Sequence, residues 1–183
     1  MKTNLNINSK DPVIRLTILL AIFTIAYNFI EGIISIYFGL GDEVLSLFGF
    51  GLDSFVEVIS GIGILHMIIR IKNNQNENKD QFEKRALQIT GTSFYLLTFG
   101  LVVSASYNFI YGIHPITTTW GIIVSGVSIL VMWWLVREKL KVGKKLNSDA
   151  IIADANCTKA CLQLSFILLI SCIGFELFEL KRI

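Results

Sequence analysis

Long apolar runs separated by short polar stretches dominate the chain. Five of them, residues 13–40, 44–71, 85–112, 116–136 and 151–177, are long enough for a helix to cross a hydrocarbon core, which takes roughly 20 apolar residues. Lipid offers no partner to an open backbone, and the runs are far too long for barrel strands, so each is expected to be a helix. The fold class is therefore all-α, a polytopic transmembrane bundle of about five spans. Ser9-Lys10-Asp11-Pro12 has the polar cap and early proline of a helix start. Residues 1–12 then form an N-terminal segment and 13–183 one transmembrane domain. Residues 72–81 are rich in Asn, Gln and Lys and read as a solvated loop.

Composition agrees with the pattern: 53% of the 183 residues are hydrophobic and only 16% are charged, too apolar for a water-facing domain. The formal charge of +2 gives no basic face for nucleic acid, because the cations flank the spans. Lys2, Lys10 and Arg15 precede the first span. Arg70, Lys72, Lys79, Lys84 and Arg85 join the second to the third, and Arg137, Lys139, Lys141, Lys144 and Lys145 join the fourth to the fifth. The connections Gly41-Asp42-Glu43 and Ile113-His114-Pro115 hold no Lys or Arg, so the positive-inside rule places the amino terminus in the cytoplasm of a multi-pass cell-membrane protein. Five spans leave Lys181 and Arg182 outside, against that rule. Either the chain stops there or a return helix comes from a partner. The first dozen residues lack the short apolar core of a signal peptide, so the first span is expected to be retained.

Polar residues recur along the spans at helical spacing: Thr24, Asn28, Glu31 and Ser35 in the first, Ser46, Gly49, Asp53, Glu57 and Ser60 in the second, Gly121, Ser125 and Ser128 in the fourth. The fourth stripe reads as close helix packing, and Trp120, Trp133 and Trp134 as interfacial belt residues. Asp53 and Glu57 are different. A carboxylate at mid-membrane costs about 2.5 to 3.5 kcal/mol on insertion scales, and the four-residue spacing puts both on one face, within reach of one cation. A pair sharing a proton, or bonded to a neighbouring helix, is the bland reading. In the fifth span Asp154, Cys157, Cys161, Ser165 and Cys172 share a face. Cys172 reads as packing. Cys157 and Cys161 repeat the four-residue spacing at a depth like that of Asp53 and Glu57, so two oxygens and two sulfurs would suit a tetrahedral zinc-like ion. A redox dithiol is the rival, disfavoured by a reducing cytoplasm. His66 and His114 read as interfacial, and Lys159 lies on the face opposite Cys161.

The stretch Gly49-Phe50-Gly51-Leu52-Asp53-Ser54-Phe55-Val56-Glu57 resembles the second span of the cation diffusion facilitator family, and Ala153-Asp154-Ala155-Asn156-Cys157-Thr158-Lys159-Ala160-Cys161 resembles its fifth. Tyr27-Asn28, Glu31-Gly32 and a fourth span that starts after Pro115 add to the resemblance, which covers spans one to five. It implies a homodimeric metal-for-proton exchanger with two ligands from span two and two from span five: Asp53, Glu57, Cys157 and Cys161. The two cysteines stand where most members have His and Asp. Typical members also carry a sixth span and a cytoplasmic metal-binding domain, neither of which has a counterpart here.

The expected function is transport of a divalent transition-metal cation, Zn2+ first and Cd2+, Co2+ or Fe2+ as relatives, with metal displacing protons from its ligands. The metal is substrate rather than cofactor, and no enzymatic activity is expected. Asp154 is expected at the cytoplasmic approach, attracting cations. Asn28 and Glu31 line the path, Glu31 as an outer relay or as a structural hydrogen bond. A non-transporting metal sensor and a metal-free structural bundle are the alternatives.

Overall fold

The computed structural model describes residues 12–41, 45–73, 79–111 and 118–180. Among them the chain forms five helices and no strand: α1 (Pro12–Gly41), α2 (Leu45–Asn73), α3 (Lys79–Tyr111), α4 (Thr119–Leu146) and α5 (Asp149–Leu180). The all-α expectation holds. The expectations placed on residues 1–11, on Asp42-Glu43, on Ile113-His114-Pro115 and on Lys181-Arg182 fall outside the described residues.

Four of these helices, α1, α2, α4 and α5, are long and apolar enough to cross a membrane. α3 has the length, 33 residues, or roughly 50 Å at the rise of an α-helix, but begins with the polar turn Lys79 to Arg85. Large apolar side chains face outward all round the bundle, among them Leu19, Ile30, Phe99, Leu130 and Ile170, while Asp53, Glu57, Lys139 and Asp154 are buried within it. That inversion is the arrangement lipid demands. The chain is a multi-pass membrane protein.

Neighbouring helices run antiparallel. On α1 and α2, Gly39 lies against Phe48, Gly32 against Phe55 and Ile25 against Gly61. On α4 and α5, Gly121 meets Cys172, Ser128 meets Ser165 and Lys139 meets Asp154. Glycine sets the α1–α2 distance at two places. A Cβ at Gly39 would fall 2.5 Å from the Phe48 backbone nitrogen, and one at Gly51 would fall 3.0 Å from the Gly32 carbonyl oxygen. Two backbones approach this closely only where no side chain intervenes.

The structure corrects the sequence on span four. The basic stretch from Arg137 to Lys145 is not a connection between spans: α4 continues through it to Leu146 and buries Lys139, Val142, Gly143 and Leu146 on one face. Asn147 stops the helix in the left-handed conformation, φ 45° and ψ 52°, which asparagine tolerates better than most residues. Its N–H and that of Ser148 return to the carbonyls of Lys144 and Gly143. The Ser148 hydroxyl accepts the Ile151 N–H at 3.5 Å in the first turn of α5. A two-residue turn thus clamps α4 against α5 and carries Lys139 into the interior. The expected interfacial tryptophans are half-exposed. Trp120 stacks on Phe38 with centroids 3.9 Å apart, and Arg137 lies 4.2 Å over the Trp133 ring.

Candidate cation site

Polar residues on the buried faces of all five helices meet in the middle of the bundle. α1 contributes Thr24, Asn28 and Glu31, α2 contributes Asp53, Ser54, Glu57 and Ser60, α3 contributes Thr90, α4 contributes Lys139, and α5 contributes Asp154, Thr158 and Cys161. The four-residue spacing on α2 puts Asp53 and Glu57 on the same inward face, each 1% exposed.

At the end of the cluster nearest the α4–α5 turn, Lys139 Nζ lies 2.8 Å from Asp154 Oδ2, with both side chains almost wholly buried. Ser60 donates to the other oxygen of Asp154 at 2.6 Å and is itself 3.0 Å from the Thr90 hydroxyl. Asp154 therefore has both oxygens occupied. The expectation that it stands free to attract cations is corrected: its charge is spent on an ammonium of the same chain. Lys159 is exposed, so the cation that answers a buried carboxylate is Lys139, one helix away.

Lys139 also donates to Thr158 Oγ1 at 2.8 Å. The Thr158 hydroxyl reaches Glu57 Oε2 at 3.3 Å and the Asp154 carbonyl at 3.2 Å. Asn28 Nδ2 donates to the same Glu57 oxygen at 3.2 Å and to the Thr24 carbonyl at 2.9 Å. One oxygen of Glu57 is thus held from two sides, while Oε1 is buried without a hydrogen-bond partner. Neither oxygen of Asp53 accepts from an N–H or O–H group, its one neighbouring donor being the weak S–H of Cys161, and Asn28 Oδ1 has no partner. A buried atom of this kind costs about 1 to 3 kcal/mol, and more where charge is involved, unless something other than the protein answers it. The Cys161 thiol lies beside the Asp53 carboxyl. Cys157, 8% exposed, is buried one helical turn from Cys161 on α5.

Toward the other face, Tyr27 donates to Glu31 Oε1 at 2.8 Å and Ser54 to Oε2 at 3.0 Å. Of the two roles left open for Glu31, the structure supplies the hydrogen bonds of the structural one. Cys172 packs against Gly121 in the apolar core, and His66 is exposed.

The bundle therefore buries Asp53, Glu57 and Cys161 in its interior, with Asn28 bonded to Glu57 and the Cys161 thiol beside Asp53, and Cys157 one helical turn from Cys161. Among the described residues, no three His, Cys, Asp or Glu side chains already close round a common point to form a metal centre. Sequence reasoning missed Lys139, Thr158 and Ser54, and placed Ser60 on the polar stripe of span two without assigning it a partner. The inward phase of Ser54 and Ser60 was readable from α2. Lys139 was hidden by the cations around it, and Thr158 by the cysteines on either side.

Charged residues inside a membrane bundle are costly and rare, and where they occur they face the bundle interior and pair with one another, as Lys139 and Asp154 do here. The chain is 30% identical over 138 residues to a protein of Methanocaldococcus jannaschii described as an uncharacterized transporter. That similarity covers 73% of this chain and 49% of the relative, so the chain spans about half the relative's length. No protein-family model matches the chain, and no solved structure matches it.

Proposed function

We propose that the protein transports a divalent transition-metal cation, zinc or a chemically similar ion, taken up between Asp53, Glu57, Cys161 and Cys157, with Asn28 Oδ1 as a neutral oxygen beside them. The observation that carries this reading is the set of buried carboxylate oxygens, both of Asp53 and Oε1 of Glu57, that no N–H or O–H donor satisfies. Carboxylates at this depth need a compensating cation. Lys139, buried near them, is already paired with Asp154, which leaves that role at Asp53 and Glu57 to protons or to a cation that displaces them. Thiol sulfur beside carboxylate oxygen favours zinc, cadmium or cobalt over magnesium and calcium. Binding would displace protons from thiol and carboxyl groups, which supplies a chemical basis for metal-for-proton exchange. The motif resemblance to cation diffusion facilitators and the relative described as a transporter support carriage over simple binding. The family pattern also suggests a homodimer.

The test is flux into sealed proteoliposomes that contain a zinc-sensitive dye. Asp53→Ala is expected to abolish zinc entry while the protein keeps its helical content and elution volume. Unchanged flux in that variant removes the site. Stoichiometric zinc binding in detergent without flux in vesicles would replace the transporter with a membrane metal sensor.

A further inference from the structure

We propose that Thr158 is a positioning residue for the cation site: its hydroxyl, oriented by Lys139, holds one oxygen of Glu57 so that the other faces the ion. This rests on the cation-site reading above and adds to it a residue that contributes no ligand atom.

A hydroxyl has one proton to give. At Thr158 the ammonium of Lys139 takes a lone pair at 2.8 Å, so the hydroxyl proton must point away from Lys139. In that direction lie Glu57 Oε2 at 3.3 Å and the Asp154 carbonyl at 3.2 Å, which share that one proton. Lys139 cannot turn aside, because Asp154 Oδ2 holds it at 2.8 Å in a fully buried setting. Asp154 is in turn fixed by Ser60. The chain from Ser60 through Asp154, Lys139 and Thr158 to Glu57 thus runs through α2, α5 and α4 and back to α2. It makes the orientation of one carboxylate depend on the packing of three helices. Asn28 closes the other side of the same oxygen. Glu57 Oε1 is left buried without a hydrogen-bond partner, one helical turn from Asp53 on the same face of α2. A ligand locked in its binding rotamer loses less entropy when the ion arrives, which strengthens binding without altering the chemistry of the ligand. An unrestrained glutamate would have to be ordered by the ion itself.

The experiment compares Thr158→Val, Thr158→Ala and Thr158→Ser with the parent protein, and Asp53→Asn as reference, in zinc flux and in zinc titration of the detergent-solubilised protein. The two hydroxyl-free variants are expected to raise KM and the zinc dissociation constant by about tenfold, the worth of one hydrogen bond to a charged group. Their maximal rate should stay within about twofold of the parent, because the ligands remain. Thr158→Ser restores the hydroxyl and is expected to restore KM. A residue that only supported the fold would lower the amount of active protein and leave KM alone. Parent-like KM in both hydroxyl-free variants, with zinc binding lost in Asp53→Asn, overturns the positioning role and spares the site. Parent-like zinc binding in Asp53→Asn overturns the site and the positioning role with it.

Discussion

Replacing Lys139 with methionine isolates the cost of an uncompensated charge inside this bundle. The side chains are similar in length, so packing is nearly conserved and the loss is electrostatic. In the native protein the ammonium lies 2.8 Å from Asp154 Oδ2, with side-chain exposures of 3% and 6%. At an effective dielectric of about 20, two unit charges at that distance attract by roughly 6 kcal/mol, most of it offset by the cost of burying both. Without Lys139, Asp154 keeps only Ser60 as donor. Breaking one side of a buried pair costs about 3 to 5 kcal/mol, a large share of the stability of a small domain. Removing both charges, as in Lys139→Met with Asp154→Leu, should return most of that loss. Each hydroxyl the pair had engaged keeps another partner: Ser60 has Thr90, and Thr158 has the carbonyl of residue 154. The assay is reversible unfolding in mixed micelles, followed by far-ultraviolet circular dichroism, for both single variants and the double. A loss below about 1 kcal/mol in Lys139→Met, or strict additivity in the double, would refute the coupled pair.

Two further outcomes follow from packing and from ligand chemistry. Gly39→Ala should destabilise by about 1 to 3 kcal/mol in the same unfolding assay, because a rigid backbone at Phe48 occupies the space of the new methyl. Gly126→Ala, with nothing within 4 Å, should be neutral or slightly stabilising. Cys161→Ser should weaken cadmium binding more than zinc binding, since sulfur suits the softer ion. Cys172→Ser should leave both affinities unchanged, because that thiol lies against Gly121 in apolar packing. Metal titration by calorimetry reads both cysteine variants, and equal affinities in Cys161→Ser and the parent would exclude that sulfur from the site.

Much of the candidate site was legible in the linear pattern for one reason: a helix converts spacing into direction. A step of four residues from Asp53 to Glu57 is enough to put both on the inward face of α2, and helical periodicity likewise groups Asp154, Cys157 and Cys161 on α5. The pattern also marks Asn28 and Glu31 as neighbours on α1. What it cannot convey is which turn of one helix stands at the height of which turn of another. For that reason Asp154 read as a free acidic approach when it is held by Lys139, and the contact made by Glu57 on α5 proved to be the Thr158 hydroxyl.

Lys139 shows the limit most clearly. In a run that also holds Arg137, Lys141, Lys144 and Lys145, a lysine looks like one more charge at the cytoplasmic edge of a span. Its burial depends on the turn at Asn147 and Ser148, which brings α4 back along α5 without slack and fixes the rotation of its last two turns. The apolar runs by themselves determine that this chain lives in a bilayer as helices, because the cost of exposing backbone to hydrocarbon leaves no other form. Tertiary packing alone decides which buried charges neutralise each other and which carboxylates stay unpaired, because electrostatic compensation depends on distances across helices that no spacing along one helix encodes.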